Sequence, residues 1–119
     1  MISTASNVAV GLIALLHLYI LILEMFLWDK PPGLRAFGLT PDFARATRAL
    51  AANQGLYNGF LASGLIWGLF LGPGGAAVRM FFSGCVLVAG VFGGLTANRK
   101  ILWIQAAPAA VTLLLLALA

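Results

Sequence analysis

Residues 6–28 read SNVAVGLIALLHLYILILEMFLW, and after Ser6 and Asn7 only His17 and Glu24 interrupt this apolar run. A stretch of about 20 predominantly apolar residues is what a helix needs to cross the hydrocarbon of a bilayer. The run is therefore predicted to be one transmembrane helix, with Trp28 at the interface, where aromatic residues are enriched. No Lys or Arg precedes Lys30. A signal peptide needs a basic segment and a cleavage site, so the expectation is a retained first helix.

The rest of the chain repeats the pattern. Of the 119 residues, 62% are apolar and 8% charged, against about 25% charged in an ordinary soluble domain. Too few polar residues remain to cover a water-soluble core, which excludes a soluble monomer. Asp29-Lys30-Pro31-Pro32-Gly33 breaks the first helix. Thr40-Pro41-Asp42 has the order of a helix start: an N-cap, a proline at the first position, an acid near the positive dipole end. With no breaker before Gly72, one long helix is predicted from about Pro41 to Leu71, its lipid part beginning at Asn53. Gly72-Pro73-Gly74-Gly75 is a tight turn, and Asn98-Arg99-Lys100 a polar one. The predicted spans are 6–28, 53–71, 77–96 and 101–119, with residues 29–52 as a cytoplasmic segment. Pro108 is tolerated inside the fourth span because neighbouring helices satisfy the freed carbonyl. The predicted fold is an all-α, integral membrane four-helix bundle forming a single domain, its second helix extended on the cytoplasmic side.

Orientation follows from the positive charges. Lys30, Arg35, Arg45 and Arg48 lie in the first connection, Arg99 and Lys100 in the third, and Arg79 alone belongs to the second. The positive-inside rule makes the first and third connections cytoplasmic. Both termini then face outward. The net charge of +4 meets anionic lipid headgroups, and nucleic acid is not an expected partner. Small residues repeat at four-residue spacing: Gly55, Gly59 and Ser63, then Gly64, Gly68 and Gly72, then Gly90 and Gly94. This spacing lets helix backbones approach closely. Cys85 is the only cysteine, which excludes an internal disulfide.

The informative residues are the polar ones inside apolar spans. His17 and Glu24 are seven apart, about 700° of helix rotation, so they share a face about 10 Å apart along the axis. Asn53 and Tyr57 form one stripe of the second span, Gln54 and Asn58 the next, and Gln105 lies one turn into the fourth. All fall in the cytoplasmic half, which leaves the outer half almost entirely apolar. Charges and amides in lipid need partners, so these residues are expected to form one cluster pointing into the bundle. Glu24 should lie within hydrogen-bond reach of Asn53, Tyr57, Asn58 or Gln105.

The runs His17-Leu18-Tyr19-Ile20 with Leu23-Glu24-Met25-Phe26-Leu27-Trp28, Ala52-Asn53-Gln54-Gly55-Leu56-Tyr57-Asn58-Gly59-Phe60-Leu61-Ala62, and Ala89-Gly90-Val91-Phe92-Gly93-Gly94-Leu95-Thr96, with Gln105 and Pro108, carry a resemblance. Together they resemble the bacterial membrane family catalogued as domain of unknown function 1304. The resemblance covers essentially the whole chain and implies four helices. It picks out His17, Glu24, Asn53, Gln54, Tyr57, Asn58 and Gln105 as motif positions, and it implies no reaction.

Three readings of function remain at this stage. In the first, a cytoplasm-facing polar pocket binds or transports a small molecule, with Glu24 and His17 as titratable groups. One copy of four short helices encloses little volume, so a homodimer would be expected. In the second, a membrane enzyme uses His17 or Glu24 as acid or base and Tyr57 as proton or oxyanion donor on a lipid-soluble substrate. In the third, the polar cluster only fixes packing in an accessory subunit. No cofactor follows from the sequence: there is no Gly-rich phosphate loop, CxxC or HExxH. One His and one Glu are too few ligands for a structural zinc.

Overall fold

The computed structural model describes residues 1–119, and it is all-helical. The helices are α1 (Ile2–Phe26), α2 (Pro31–Phe37), α3 (Pro41–Ala46), α4 (Arg48–Phe70), α5 (Ala76–Thr96) and α6 (Ala107–Leu118). A 3-10 turn, Gly72–Gly75, leads into α5, and a π-helical turn, Leu102–Ala106, leads into α6. Two helical runs are long and apolar enough to cross a membrane, Ile2–Phe26 and Gly72–Thr96. The four-span expectation is thus met by two runs on length and composition. The amides of Asn53, Gln54 and Asn58 and the cation of Arg48 dilute the apolar character of α4, and Leu102–Leu118 is a shorter apolar helix.

The connections follow local chemistry. Pro31 and Pro32 start α2, as residues without an N–H suit a first turn. Gly38, at φ +63°, ends it in the left-handed region open to glycine. Thr40 caps α3, its hydroxyl accepting from the Phe43 N–H at 3.2 Å.

The long helix predicted from Pro41 to Leu71 is broken at Thr47, which separates α3 from α4. The Thr47 hydroxyl donates to the Phe43 carbonyl at 2.7 Å and accepts from the Trp28 indole N–H at 3.0 Å. A side chain holding a backbone carbonyl competes with helix continuation. Trp28, expected as an interfacial anchor, is thereby tied to the start of α4, with its ring 4.9 Å from that of Phe37.

The chain divides into two compact units, Leu16–Phe60 and Met1–Leu15 with Leu61–Ala119. In the first, Gly55 and Gly59 set the packing of α4 on α1. A Cβ at Gly55 would come within 2.6 Å of Met25 Cγ and 3.1 Å of Glu24 Cβ, and one at Gly59 within 2.7 Å of Leu21 Cδ1. The second unit has a core of Val10, Ile13, Ala14, Leu65, Val86, Ala109 and Leu116. There α5 meets the last helix backbone to backbone: a Cβ at Gly90 would stand 2.7 Å from the Ala106 nitrogen.

Candidate functional site

The unit Leu16–Phe60 holds the polar pair. Glu24 on α1 and Asn58 on α4 meet where the bare backbone of Gly55 lets the helices close. Asn58 Nδ2 donates to Glu24 Oε1 at 2.6 Å and to the Gln54 carbonyl at 3.3 Å. An amide donating to a carboxylate is a charge-assisted hydrogen bond, shorter and stronger than a neutral one. The chain has three acidic side chains. Asp42 pairs with Arg45, and Asp29 pairs with Arg48 at 3.3 Å. Glu24 alone makes no ion pair. Its second oxygen keeps acceptor capacity that the amide does not use.

His17 lies two turns before Glu24 on α1 and is fully buried. The donor expected for Glu24 is therefore Asn58, and the single inward-pointing cluster is smaller than expected. Asn53 and Gln54 are exposed. Tyr57 is 56% exposed, and its ring packs edge-on against Phe60 at 5.5 Å between centroids. Gln105, in the other unit, donates from Nε2 to the Val86 carbonyl at 3.2 Å. Asn98 is exposed too, and its side chain accepts from the Lys100 N–H at 2.9 Å.

One residue that sequence reading assigned to a connection turns out to be buried. Arg79 is the fourth residue of α5 and 9% exposed. Its Nη1 donates to the carbonyls of Gly68 at 2.6 Å and Gly72 at 2.8 Å, closing the C-terminal end of α4. Ser83, one turn further along α5, is fully buried, as are Ser6 and Thr112 very nearly. The outer half was expected to be almost entirely apolar, and Arg79 and Ser83 are buried polar residues in the part of α5 assigned to it. The available signal was Gly68 with Gly75, where an added Cβ would stand 2.6 Å from Arg79 Cγ and 2.9 Å from Arg79 Nη1.

A family model described as Protein of unknown function (DUF1304) matches residues 11–117. The chain belongs to that family. This DUF1304 protein is also similar to the uncharacterized protein YpaA of Lactococcus lactis subsp. lactis (strain IL1403), at 34% identity over 97 residues that cover 79% of this chain and 81% of the relative. No solved structure matches. The matched span of the DUF1304 protein includes His17, Glu24 and Asn58 as well as Arg79 and Ser83.

Proposed function

We propose that this DUF1304 protein is a four-span protein of the bacterial plasma membrane that binds a small polar or amphipathic molecule, for transport, at the Glu24–Asn58 pair. The observation that carries the reading is a carboxylate between two helices, held by one amide at 2.6 Å and by no cation. Intramembrane ionisable groups are expensive and are functional by default. Occupancy of the site and a proton on Glu24 would exchange, with His17 deeper on the same helix as the second titratable group.

The membrane assignment is supported by the outward faces of the helices. Leu12, Val88, Phe92, Leu95 and Leu114 are all exposed, and so many large apolar side chains turned outward on apolar helices suit lipid or a partner. In the proposed topology α1, α4, α5 and the Leu102–Leu118 helix cross the bilayer. With Arg79 folded into α5, the connection Leu71–Gly75 carries no charge. The six other cations lie in or beside the first and third connections, which supports a cytoplasmic side for these and an outward side for both termini. Ala36, exposed on α2, provides the test. In a Cys85→Ser background, Ala36→Cys should resist a membrane-impermeant maleimide in intact cells and react in inverted vesicles. Ready labelling of intact cells would overturn the topology.

The site is tested by native mass spectrometry of gently solubilised protein. The wild type should carry a co-purified small molecule, and Glu24→Gln should lose it while the yield of folded protein holds. Equal retention by both proteins across a pH series would remove the Glu24 charge from the function. The same spectra report assembly. A homodimer is expected, because exposed amides such as Asn53 and Gln54 need partners in lipid, and a monomer would count against it. No observation favours the acid–base enzyme reading, since Tyr57, its proton donor, points away into exposure.

A further inference from the structure

We propose, building on the reading of the Glu24–Asn58 pair as a binding site, that its ligand is an organic cation: a protonated amine that donates N–H groups to the pair. An amide nitrogen carries two hydrogens. Asn58 Nδ2 has two acceptors for them, Glu24 Oε1 at 2.6 Å and the Gln54 carbonyl at 3.3 Å. Because both partners are acceptors, the nitrogen and not the oxygen of the amide must face them, and Asn58 keeps no donor for a ligand. What the pair has left is two acceptors. Glu24 Oε2 and Asn58 Oδ1 take no hydrogen bond within the chain. Each sits on the same carbon as an engaged atom, so both stay beside the 2.6 Å contact. Both residues are only partly buried, so neither oxygen is sealed in as the Arg79 Nε and the Ser83 hydroxyl are.

A site with acceptors and no donor rejects carboxylates, phosphates and other ligands that can only accept. Charge narrows the class further. The other two carboxylates of the chain are each matched by an arginine, Asp42 by Arg45 and Asp29 by Arg48, and Glu24 is not. It lies two residues before the end of α1, whose last turn holds no basic residue. A helix C-terminus is worth roughly half a negative charge, so the local backbone adds to the carboxylate instead of offsetting it. A charge in apolar surroundings is costly until it is paired, and a positive ligand supplies what the chain does not. Two oxygens are too few for a hard metal ion such as magnesium or calcium, which takes about six to eight. An ammonium group has N–H donors and no acceptor, which matches the pair in both charge and hydrogen bonding. Leu21 and Met25, which meet α4 at the same helix crossing, suit an apolar body on the amine.

The experiment uses the full chain in a neutral detergent at mildly alkaline pH, with benzylamine as the probe and calorimetric titration, corrected for empty micelles, as the readout. Three analogues keep the ring: benzyl alcohol without charge, benzoate with a negative charge, and benzyltrimethylammonium, a cation with no N–H. The amine should bind, and the alcohol and benzoate should not. Methylation removes the donors to a charged acceptor and should weaken binding roughly tenfold. Glu24→Gln should abolish amine binding. If that variant does not fold, the analogue series on the wild type decides alone. Equal binding of the amine and the alcohol, or of the amine and its trimethyl analogue, would overturn the proposal. So would amine binding retained by folded Glu24→Gln, or no amine binding by the wild type. Native mass spectra then separate loss of the cation from loss of the site. A co-purified neutral or anionic molecule that Glu24→Gln loses would keep the site and overturn the cation, whereas no co-purified molecule and no amine binding would remove the site itself.

Discussion

Replacing Gly90 by alanine is expected to lower the melting midpoint of the protein, whereas the same change at Gly84 should leave it level or raise it. At Gly90 the added methyl would lie 2.7 Å from the Ala106 nitrogen, 2.9 Å from its Cα and 3.0 Å from its Cβ. Two of these are backbone atoms that no rotamer change can move. The helices must separate, and overpacking of this kind costs about 1–3 kcal/mol. At Gly84 nothing lies within 4 Å of the new methyl. There the gain is that of alanine over glycine inside a helix, roughly 0.5–1 kcal/mol. Thermal unfolding followed by circular dichroism in one detergent compares the two. Equal shifts would mean that α5 and the last helix do not approach through Gly90.

Asn58→Leu should be the most damaging change at the polar pair. It deletes the amide that donates to Glu24 and leaves a carboxylate between helices without that donor. A hydrogen bond to a charged group is worth about 1.5–3 kcal/mol, and the partner left unsatisfied bears the cost. Removing both groups, in Glu24→Leu with Asn58→Leu, should recover most of the loss, because an apolar pair leaves nothing unsatisfied. The double-mutant cycle measures the coupling directly. Additive effects of the two substitutions would show that the 2.6 Å contact contributes nothing to stability.

Much of the fold was legible because it is written in local signals. Thr40-Pro41 did start a helix, Pro31-Pro32 did exclude continuation of α1, and Gly72-Pro73-Gly74-Gly75 did make the turn before α5. The small residues at four-residue spacing mark real close approaches, at Gly55, Gly59, Gly68 and Gly90. The break at Thr47 was not legible, since it depends on a side chain nineteen residues away, Trp28. Arg79 was misread because a cation near a turn looks like a topology charge until the carbonyls it closes are seen.

The exposure of Tyr57 and Asn53 is a different case, for the information was present. Gly55 and Gly59 define the stripe of α4 that meets α1. At about 100° per residue, Tyr57 lies roughly opposite that stripe and Asn53 nearly so, while Asn58 stands at its edge. Counting from the glycines, instead of pairing the polar residues with one another, selects Asn58 as the partner of Glu24.

The π-helical turn at Leu102–Ala106 bears on how this family can vary in length. Its backbone N–H groups reach five residues back, as Ala107 does to the Leu102 carbonyl, so the turn holds one residue more than an α-turn. The surplus residue is absorbed just ahead of Pro108, whose missing N–H already interrupts the ladder. Phase is therefore decoupled across this point: Leu102 and Ala106 stay against the glycines of α5 while Ala109, Thr112 and Leu116 stay buried further along. A relative one residue shorter here would close the turn to α geometry and keep both ends of the helix in register. In this chain a one-residue deletion between Leu102 and Ala106 should remove slack and leave the packing stripe intact.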